Sequence, residues 1–327
     1  MIPEATAFRR ALHGWFRANG RKLPWRSAPD PYSVLVSEFM LQQTTVAAVI
    51  PYFGRWMARF PSLEKLAVAP EADVLKLWEG LGYYSRARNL QRAAKLVVGE
   101  LGGKLPSDVA ELRRLPGVGP YTAAAIAAFA FDRCVPVIDA NIQRVLARLI
   151  NFREPVQTAR GREMIERAAE AVLPRAGGAL HASALMDLGA TVCRAGSPDC
   201  PHCPVRKFCQ AVEPASIPLK PAKRAIVEES ETRAFALARK RIFLVPAEGA
   251  RWRGLWVLPE GNALGIPLAR FTYAVTRFRI RLEVYEARPA SGWTPFPLAS
   301  LPAMPSPHRK AVELALDSLR RRNSSDE

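Results

Sequence analysis

The chain has 327 residues, 49% of them hydrophobic, with 47 Lys and Arg against 30 Asp and Glu. The net charge is therefore +17, and the pI is about 10.2. The length suits about two domains, each with a core of its own, and no stretch approaches the roughly 18 uninterrupted apolar residues of a membrane span. The basic excess points to a polyanion such as nucleic acid, a solvated basic surface being the plainer alternative. Basic residues outnumber acidic ones by 28 to 19 up to Glu213 and by 19 to 11 after it, so neither part is a mere basic tail.

The chain opens MIPEATAFRRALHGWF, without the basic segment and apolar run of an export signal, so the expectation is a cytoplasmic protein in a reducing compartment. Residues 1–212 read as helices. Apolar residues three and four apart recur in SVLVSEFMLQQTTVAAVIPYFGRWMARF and in ADVLKLWEGLGYYSRARNLQRAAKLVVGEL. Glu38 is out of place in the first of these, an acid among valines, leucines, phenylalanine and methionine, where exclusion of water raises a carboxyl pKa. Next, LRRLPGVGPYTAAAIAAFAF joins two helical segments through Pro116, Gly117, Val118, Gly119 and Pro120. Such a hairpin lets the backbone come close to a partner, and amides at the start of the second helix, around Tyr121 and Thr122, suit a phosphate. An ordinary turn between helices is the bland reading. Asp139, in VPVIDANIQRVLARL, precedes an apolar helical repeat as an N-cap does. A desolvated acid together with a second carboxylate at a helix start is the pair that glycosidic bond cleavage uses.

CRAGSPDCPHCPVRKFC then places Cys193, Cys200, Cys203 and Cys209 within seventeen residues, leaving only Cys134 elsewhere. In a reducing compartment this concentration argues for metal. Structural zinc and an iron–sulfur cluster both take four thiolates, and the spacing leaves both open. EPASIPLKPAKRAIVEESE is proline-rich, charged and aperiodic, and reads as a linker over 213–232. Beyond it, RAFALARKRIFLVPA, GLWVLPE and FTYAVTRFRIRLEVYEA read as strands, and SPHRKAVELALDSLRRR as a closing helix. The terminal NSSDE reads as disordered.

RKLPWRSAPDPYSVLVSEFMLQQTTVAAVIPYF, WEGLGYYSRARNL, LPGVGPYTAAAI, IDANIQRVLARL, MDLGATVC and the cysteine run stand in the order seen in MutY-type adenine DNA glycosylases. The resemblance covers roughly residues 8–212. It implies a mainly α helix-hairpin-helix glycosylase region over 1–212, with a [4Fe–4S] cluster held by Cys193, Cys200, Cys203 and Cys209. It also implies a monomeric, nucleoid-associated enzyme that removes adenine opposite 8-oxoguanine or guanine in double-stranded DNA. A non-catalytic iron–sulfur DNA-binding protein is the alternative from another class. The segment 233–327 is similar, through GLWVLP, its strand pattern and its last helix, to the smaller α+β Nudix-like recognition domain of that family. It lacks the run of glutamates of a Nudix hydrolase box.

Residue by residue, Glu38 resembles the family's general acid and Asp139 the carboxylate that stabilises the sugar cation. Asn141 resembles a residue that orients the site, and Gly117, Val118, Gly119 and Thr122 those that meet the DNA backbone. Tyr121 stands where lyase relatives carry a Schiff-base lysine, a reaction closed to a phenol, and Gln143 replaces another lysine. Arg26 resembles a residue lining the adenine pocket; Gln42 and Tyr83 resemble residues that wedge beside the opposite base. Three positions depart from the pattern. Ser183 stands where relatives carry an acid or amide that touches adenine, and Thr276 and Arg277 stand where they carry a serine and histidine that recognise 8-oxoguanine.

Overall fold

A computed structural model describes residues 4–27, 30–219, 225–249 and 251–323. The backbone divides into two compact units, one of residues 1–68 and 89–222, the other of residues 69–88 and 223–327. Among the described residues no helix is long and apolar enough to cross a membrane.

Thirteen helices follow in chain order among the described residues. They are α1 (Ala5–Asn19), α2 (Pro24–Ser27), α3 (Pro31–Leu41), α4 (Val46–Arg59), α5 (Leu63–Ala67), α6 (Glu71–Trp78), α7 (Ser85–Glu100), α8 (Val109–Leu112), α9 (Pro120–Phe131), α10 (Ala140–Leu149), α11 (Ala159–Val172), α12 (Gly178–Asp187) and α13 (Ser306–Asn323). The strands among the described residues are β1 (Val227–Phe235), β2 (Leu237–Ala238), β3 (Arg241–Pro246), β4 (Trp256–Val257), β5 (Ala269–Val275), β6 (Phe278–Glu286) and β7 (Thr294–Pro297).

The first unit is helical throughout its described part. Its core gathers Phe8 and Leu12 of α1, Ile142 and Leu146 of α10, and Leu188 and Phe208. Two helices, α3 and α9, are apolar nearly all round, the pattern of a helix surrounded by protein, and both are buried along most of their length. The head of α3 is fixed by Asp30, whose Oδ1 accepts from the amides of Tyr32 at 3.0 Å and Ser33 at 3.1 Å, followed by Pro31 in the first turn. That cap sets the phase that turns Glu38 inward. At its C-terminal end α12 widens into a π-helical turn over Leu188–Val192, where a Cβ on Gly189 would meet that of Asn141 at 2.7 Å. Glycine there lets this turn lie directly against the start of α10.

In the second unit β1 pairs parallel with β6, and β5 antiparallel with β6. A second sheet has the order β2-β3-β4, with β7 also on β3. Phe235, Leu244, Leu282, Val284, Met304 and Val312 form its core, an α+β arrangement closed by α13. Residues 69–88 belong to this unit: Glu79 Oε1 accepts from Arg309 Nη2 at 2.6 Å and from the amide of Met304 at 3.2 Å, while the Tyr84 hydroxyl donates to Met304 O at 3.0 Å. Residues 1–212 therefore do not form one uninterrupted body.

The linker expected over 213–232 is also shorter than the composition suggests, since β1 begins at Val227. Its charges sit instead on a paired strand, where Glu228 reaches Arg279 at 2.9 Å and Glu231 accepts from the Tyr273 hydroxyl at 3.0 Å. Of the terminal NSSDE, residues 324–327 lie outside the described part.

Candidate active site

A cavity of about 1050 Å³ opens in the first unit. Its wall takes Glu38 from α3, Tyr121 from α9, Asp139 and Asn141 from the head of α10, Arg26 from α2 and Ser183 from α12. Gln42 completes the rim near Glu38. Five helices thus place side chains far apart in sequence around one space.

Glu38 is 4% exposed. Burial raises its pKa to about 7, and the negative charge of Asp139 pushes the same way; a hydrogen bond from Tyr121 and the charge of Arg26 pull it down. Its Oε2 is buried without a hydrogen-bond partner among the described residues. Tyr121 donates to the Glu38 carboxyl, and burial, with Glu38 and Asp139 beside it, lifts the phenol pKa well above its ordinary value. This phenol therefore acts as a donor rather than a base near neutrality. Asp139 both caps α10 and faces the cavity: Oδ1 accepts from the Ile142 amide at 2.6 Å, and Oδ2 from Asn141 Nδ2 at 2.8 Å. The Asn141 carbonyl in turn accepts from Arg144 Nη2 at 2.9 Å. Capping and a site role are compatible, because the two carboxylate oxygens have different partners.

Arg26 lies in the wall, but a carboxylate that the sequence reading did not single out grips it. Asp187, at the end of α12, is fully buried and accepts from Arg26 Nη1 at 3.0 Å and Nη2 at 3.1 Å. It also accepts from the Nε and backbone amide of Arg21, at 2.9 and 2.8 Å. Burial raises its pKa, but the hydrogen bonds from Arg26 and Arg21 outweigh that and hold it below the usual carboxylate value. The available signal was a single acid between Met186 and Leu188, four residues after Ser183. Ser183 itself is 6% exposed and offers a small hydroxyl to the cavity.

The hairpin between α8 and α9 turns at Gly117, whose φ of 79° suits glycine, and where a Cβ would strike Asn89 at 2.7 Å. Gly117 and Gly119 are exposed. Val118 and Thr122 differ from expectation. The Val118 side chain is buried and its amide donates to Leu115 O at 3.1 Å, so it has no donor for a phosphate. The Thr122 side chain is also buried, its Oγ1 accepting from Gln42 Nε2 at 3.3 Å. What remains for an anion is the backbone of the first turn of α9, with no side-chain cap on its amides.

The four clustered cysteines carry no disulfide. Cys193, Cys203 and Cys209 pack against the first unit's core. Burial pushes the Cys203 thiol up to about 11, and charge on Cys193, Cys209 or Cys200 pushes it the same way, so the four lie within mutual influence. Arg148, almost wholly buried on α10, donates to Cys193 O at 3.0 Å and lies 3.1 Å from its Sγ. Arg144 donates to Cys193 O as well, at 2.8 Å. Among the described residues no three His, Cys, Asp or Glu side chains converge closely enough to hold a single metal ion.

The remaining expected residues lie in the second unit. Tyr83 is exposed with φ 46°, and the Arg86 guanidinium sits over its ring at 5.6 Å. Thr276 and Arg277 form the two-residue tip of the β5–β6 hairpin, where Val275 pairs with Phe278. Thr276 has φ 54°, and its hydroxyl donates to Val275 O at 2.7 Å. The guanidiniums of Arg277 and Arg251 both lie over the Phe278 ring, at 5.3 and 5.0 Å.

Residues 36–175 match the model of the HhH-GPD superfamily of base excision DNA repair proteins. The adenine DNA glycosylase of Mus musculus is 45% identical over 222 residues, which cover 65% of this chain and 43% of that protein. The adenine DNA glycosylase of Mycolicibacterium smegmatis is 36% identical over 250 residues, covering 75% of this chain and 84% of that protein. A thermostable thymine-DNA glycosylase of known structure superposes with a TM-score of 0.58 at 27% identity, over 63% of this chain and 95% of its own. The chain thus spans less than half the length of the mouse protein it matches.

Proposed function

This chain belongs to the MutY-type adenine DNA glycosylase family, and from that premise we propose that it hydrolyses the N-glycosidic bond of adenine mispaired with 8-oxoguanine or guanine. The partner is double-stranded DNA, bound by a monomer, with the adenine turned out of the stack into the cavity of the first unit. The observation that carries this reading is Glu38. A buried carboxyl raised to about 7, with one oxygen lacking a partner, is an acid that keeps its proton near neutrality and has a free oxygen to deliver it.

In this reading Glu38 donates its proton to a ring nitrogen of adenine as the C1′–N bond breaks and the base leaves. Positive charge develops on the deoxyribose, and Asp139, fixed by Ile142 and Asn141, stabilises it. Glu38, now a carboxylate, accepts a proton from the water that attacks C1′, which restores the acid and leaves an abasic site. Tyr121 holds Glu38 and cannot form a Schiff base, so efficient strand cleavage is absent.

The donor set at 193–209 fits a [4Fe–4S] cluster: four thiols free of disulfides, with Arg144 and Arg148 on Cys193. A bound cluster would be redox-inert in this reaction and would tie Arg194, Arg206 and Lys207 into one basic loop on the DNA backbone. The second unit is a Nudix-like recognition domain without pyrophosphatase activity, and Thr276 and Arg277 are its residues for reading the base opposite adenine. Arg277's fork of donors suits guanine N7 and O6, whereas 8-oxoguanine has a protonated N7. Discrimination between 8-oxoguanine and guanine opposite adenine is therefore expected to be weaker in the parent than in Thr276→Ser with Arg277→His.

The deciding assay incubates the protein in excess with duplex containing adenine opposite 8-oxoguanine, then cuts abasic sites with alkali. Cleavage at the adenine is expected. Its absence under single-turnover conditions would overturn the reading.

A further inference from the structure

The strongest unexplained feature of the first unit is a carboxylate that takes no place in the cavity wall yet is completely buried beside it. Burying an ion pair costs several kcal/mol per ion before attraction returns any of it, and an apolar side chain would fill the same space at less cost. Asp187 nevertheless stands there with both oxygens taken. Oδ1 accepts from Arg21 Nε and Nη2 and from Arg26 Nη2; Oδ2 accepts from the Arg21 amide and from Arg26 Nη1. Arg26 Nη1 also donates to Arg21 O at 3.3 Å, and the guanidinium lies over the Phe16 ring at 5.6 Å. Its position and its plane are thus both set, with Arg26 on the cavity wall and Asp187 behind it.

We infer that Asp187 is a positioning residue for the excision reaction: it fixes the Arg26 guanidinium in the wall of the cavity that takes the flipped base, and it offsets the charge of Arg26 beside Glu38. The inference rests on the glycosylase reading above. It concerns orientation and charge only, for Asp187 does not touch substrate. The groups that bear on Glu38 are Tyr121 from α9, Asp139 at the head of α10 and Arg26 from α2. Arg17, Arg21 and Lys22 are the other charged residues of the same cavity wall. Of these cations, Arg26 is the one whose charge lowers the Glu38 pKa. With Asp187 neutralised, Arg26 bears on Glu38 without an offset, so the proton leaves Glu38 at lower pH.

The test uses the full chain and duplex with adenine opposite 8-oxoguanine, and measures single-turnover excision against pH for the parent, Asp187→Asn, Arg26→Gln and the double variant. Asp187→Asn is expected to lower the rate by about tenfold or more, since small misplacements at a reacting centre carry losses of that order. The pH at which excision falls by half should also move down. In the Arg26→Gln background the same change should add nothing, because its effect runs through Arg26. A merely structural role predicts neither result: its loss would persist in the double variant and leave the pH midpoint in place. If Asp187→Asn does not fold by circular dichroism, Asp187→Glu decides instead. It keeps both charges and lengthens the side chain by one methylene. A reduced rate that vanishes as a separate effect in Arg26→Gln supports the inference; a parental rate overturns it. An inactive parent removes the glycosylase reading and this inference with it, whereas an active parent beside a fully active, folded Asp187→Asn removes this inference alone.

Discussion

Two sides of one cavity each bury a carboxylate, and they treat it in opposite ways. On α3, Glu38 has a single donor among the described residues, Tyr121, with an unpartnered Oε2 and a pKa raised to about 7. At the end of α12, Asp187 is clamped by two arginines, and its pKa is held low despite burial. Burial is common to both, so burial alone does not set charge. The number of cationic donors does: without them desolvation keeps the proton on, and with them the same desolvation is overcome. The first arrangement makes an acid that can give up its proton to a substrate. The second makes a fixed anion that organises cations.

The sharpest way to break this contrast is Glu38→Gln. It removes the proton donor with little change in shape, and the expected loss of excision is on the order of a hundred- to ten-thousand-fold, with duplex affinity retained. Single-turnover excision and a binding titration measure the two effects separately. A rate near the parent's would mean that the protonation step lies elsewhere. Asp139→Asn should lose nearly as much, provided circular dichroism shows that the head of α10 is intact.

Stability should separate the two carboxylates by sign. Glu38 has a higher pKa folded than unfolded, so the folded state holds the proton more tightly. Its burial therefore costs little below about pH 4.5 and progressively more as pH rises toward about 7. Glu38→Gln should consequently stabilise the protein above pH 7, by up to on the order of 3 kcal/mol. Asp187→Asn runs the other way. It leaves Arg21 and Arg26 without their shared anion, for a loss of roughly 2–4 kcal/mol, reduced because the Arg21 side chain reaches solvent. Denaturant unfolding of both variants at pH 8 compares them directly, and two changes of the same sign would dissolve the distinction.

How much of this was legible in the sequence differs between the two sides for a physical reason. Glu38 announces itself, since a charge in the middle of an all-apolar helix has no solvent face to escape to, and Asp139 announces its cap by preceding an apolar repeat. The helical region and the strands at FTYAVTRFRIRLEVYEA were readable from periodicity. Asp187 was not, because its meaning lies in two arginines about 160 residues earlier, a pairing that no local pattern encodes. The grouping of residues 69–88 with the C-terminal unit escaped for the same reason: it depends on Glu79 meeting Arg309 and Tyr84 meeting Met304. β1 escaped because its acids read as solvent-loving linker until their partners on β5 and β6 are seen.

The smallest effect is expected at Tyr121, which donates to Glu38. The hydrogen bond from Tyr121 stabilises the ionised form of Glu38 and so lowers its pKa against burial and Asp139. Tyr121→Phe removes that donor and leaves an apolar ring in its place. Glu38 should then hold its proton to higher pH, and since the acid must be protonated to act, the alkaline limb of the excision profile should move up, by less than about one pH unit. On the acid plateau, where Glu38 is protonated in both proteins, the rate should change by no more than about tenfold, because Tyr121 orients the acid and does not itself transfer a proton. This direction is opposite to the one expected for Asp187→Asn, which exposes Glu38 to an unbalanced cation. A single series of pH profiles therefore tests both sides of the cavity. An alkaline limb that moves down in Tyr121→Phe would show that the phenol does not donate to Glu38, and the account of a singly supported acid would have to be rebuilt around another partner.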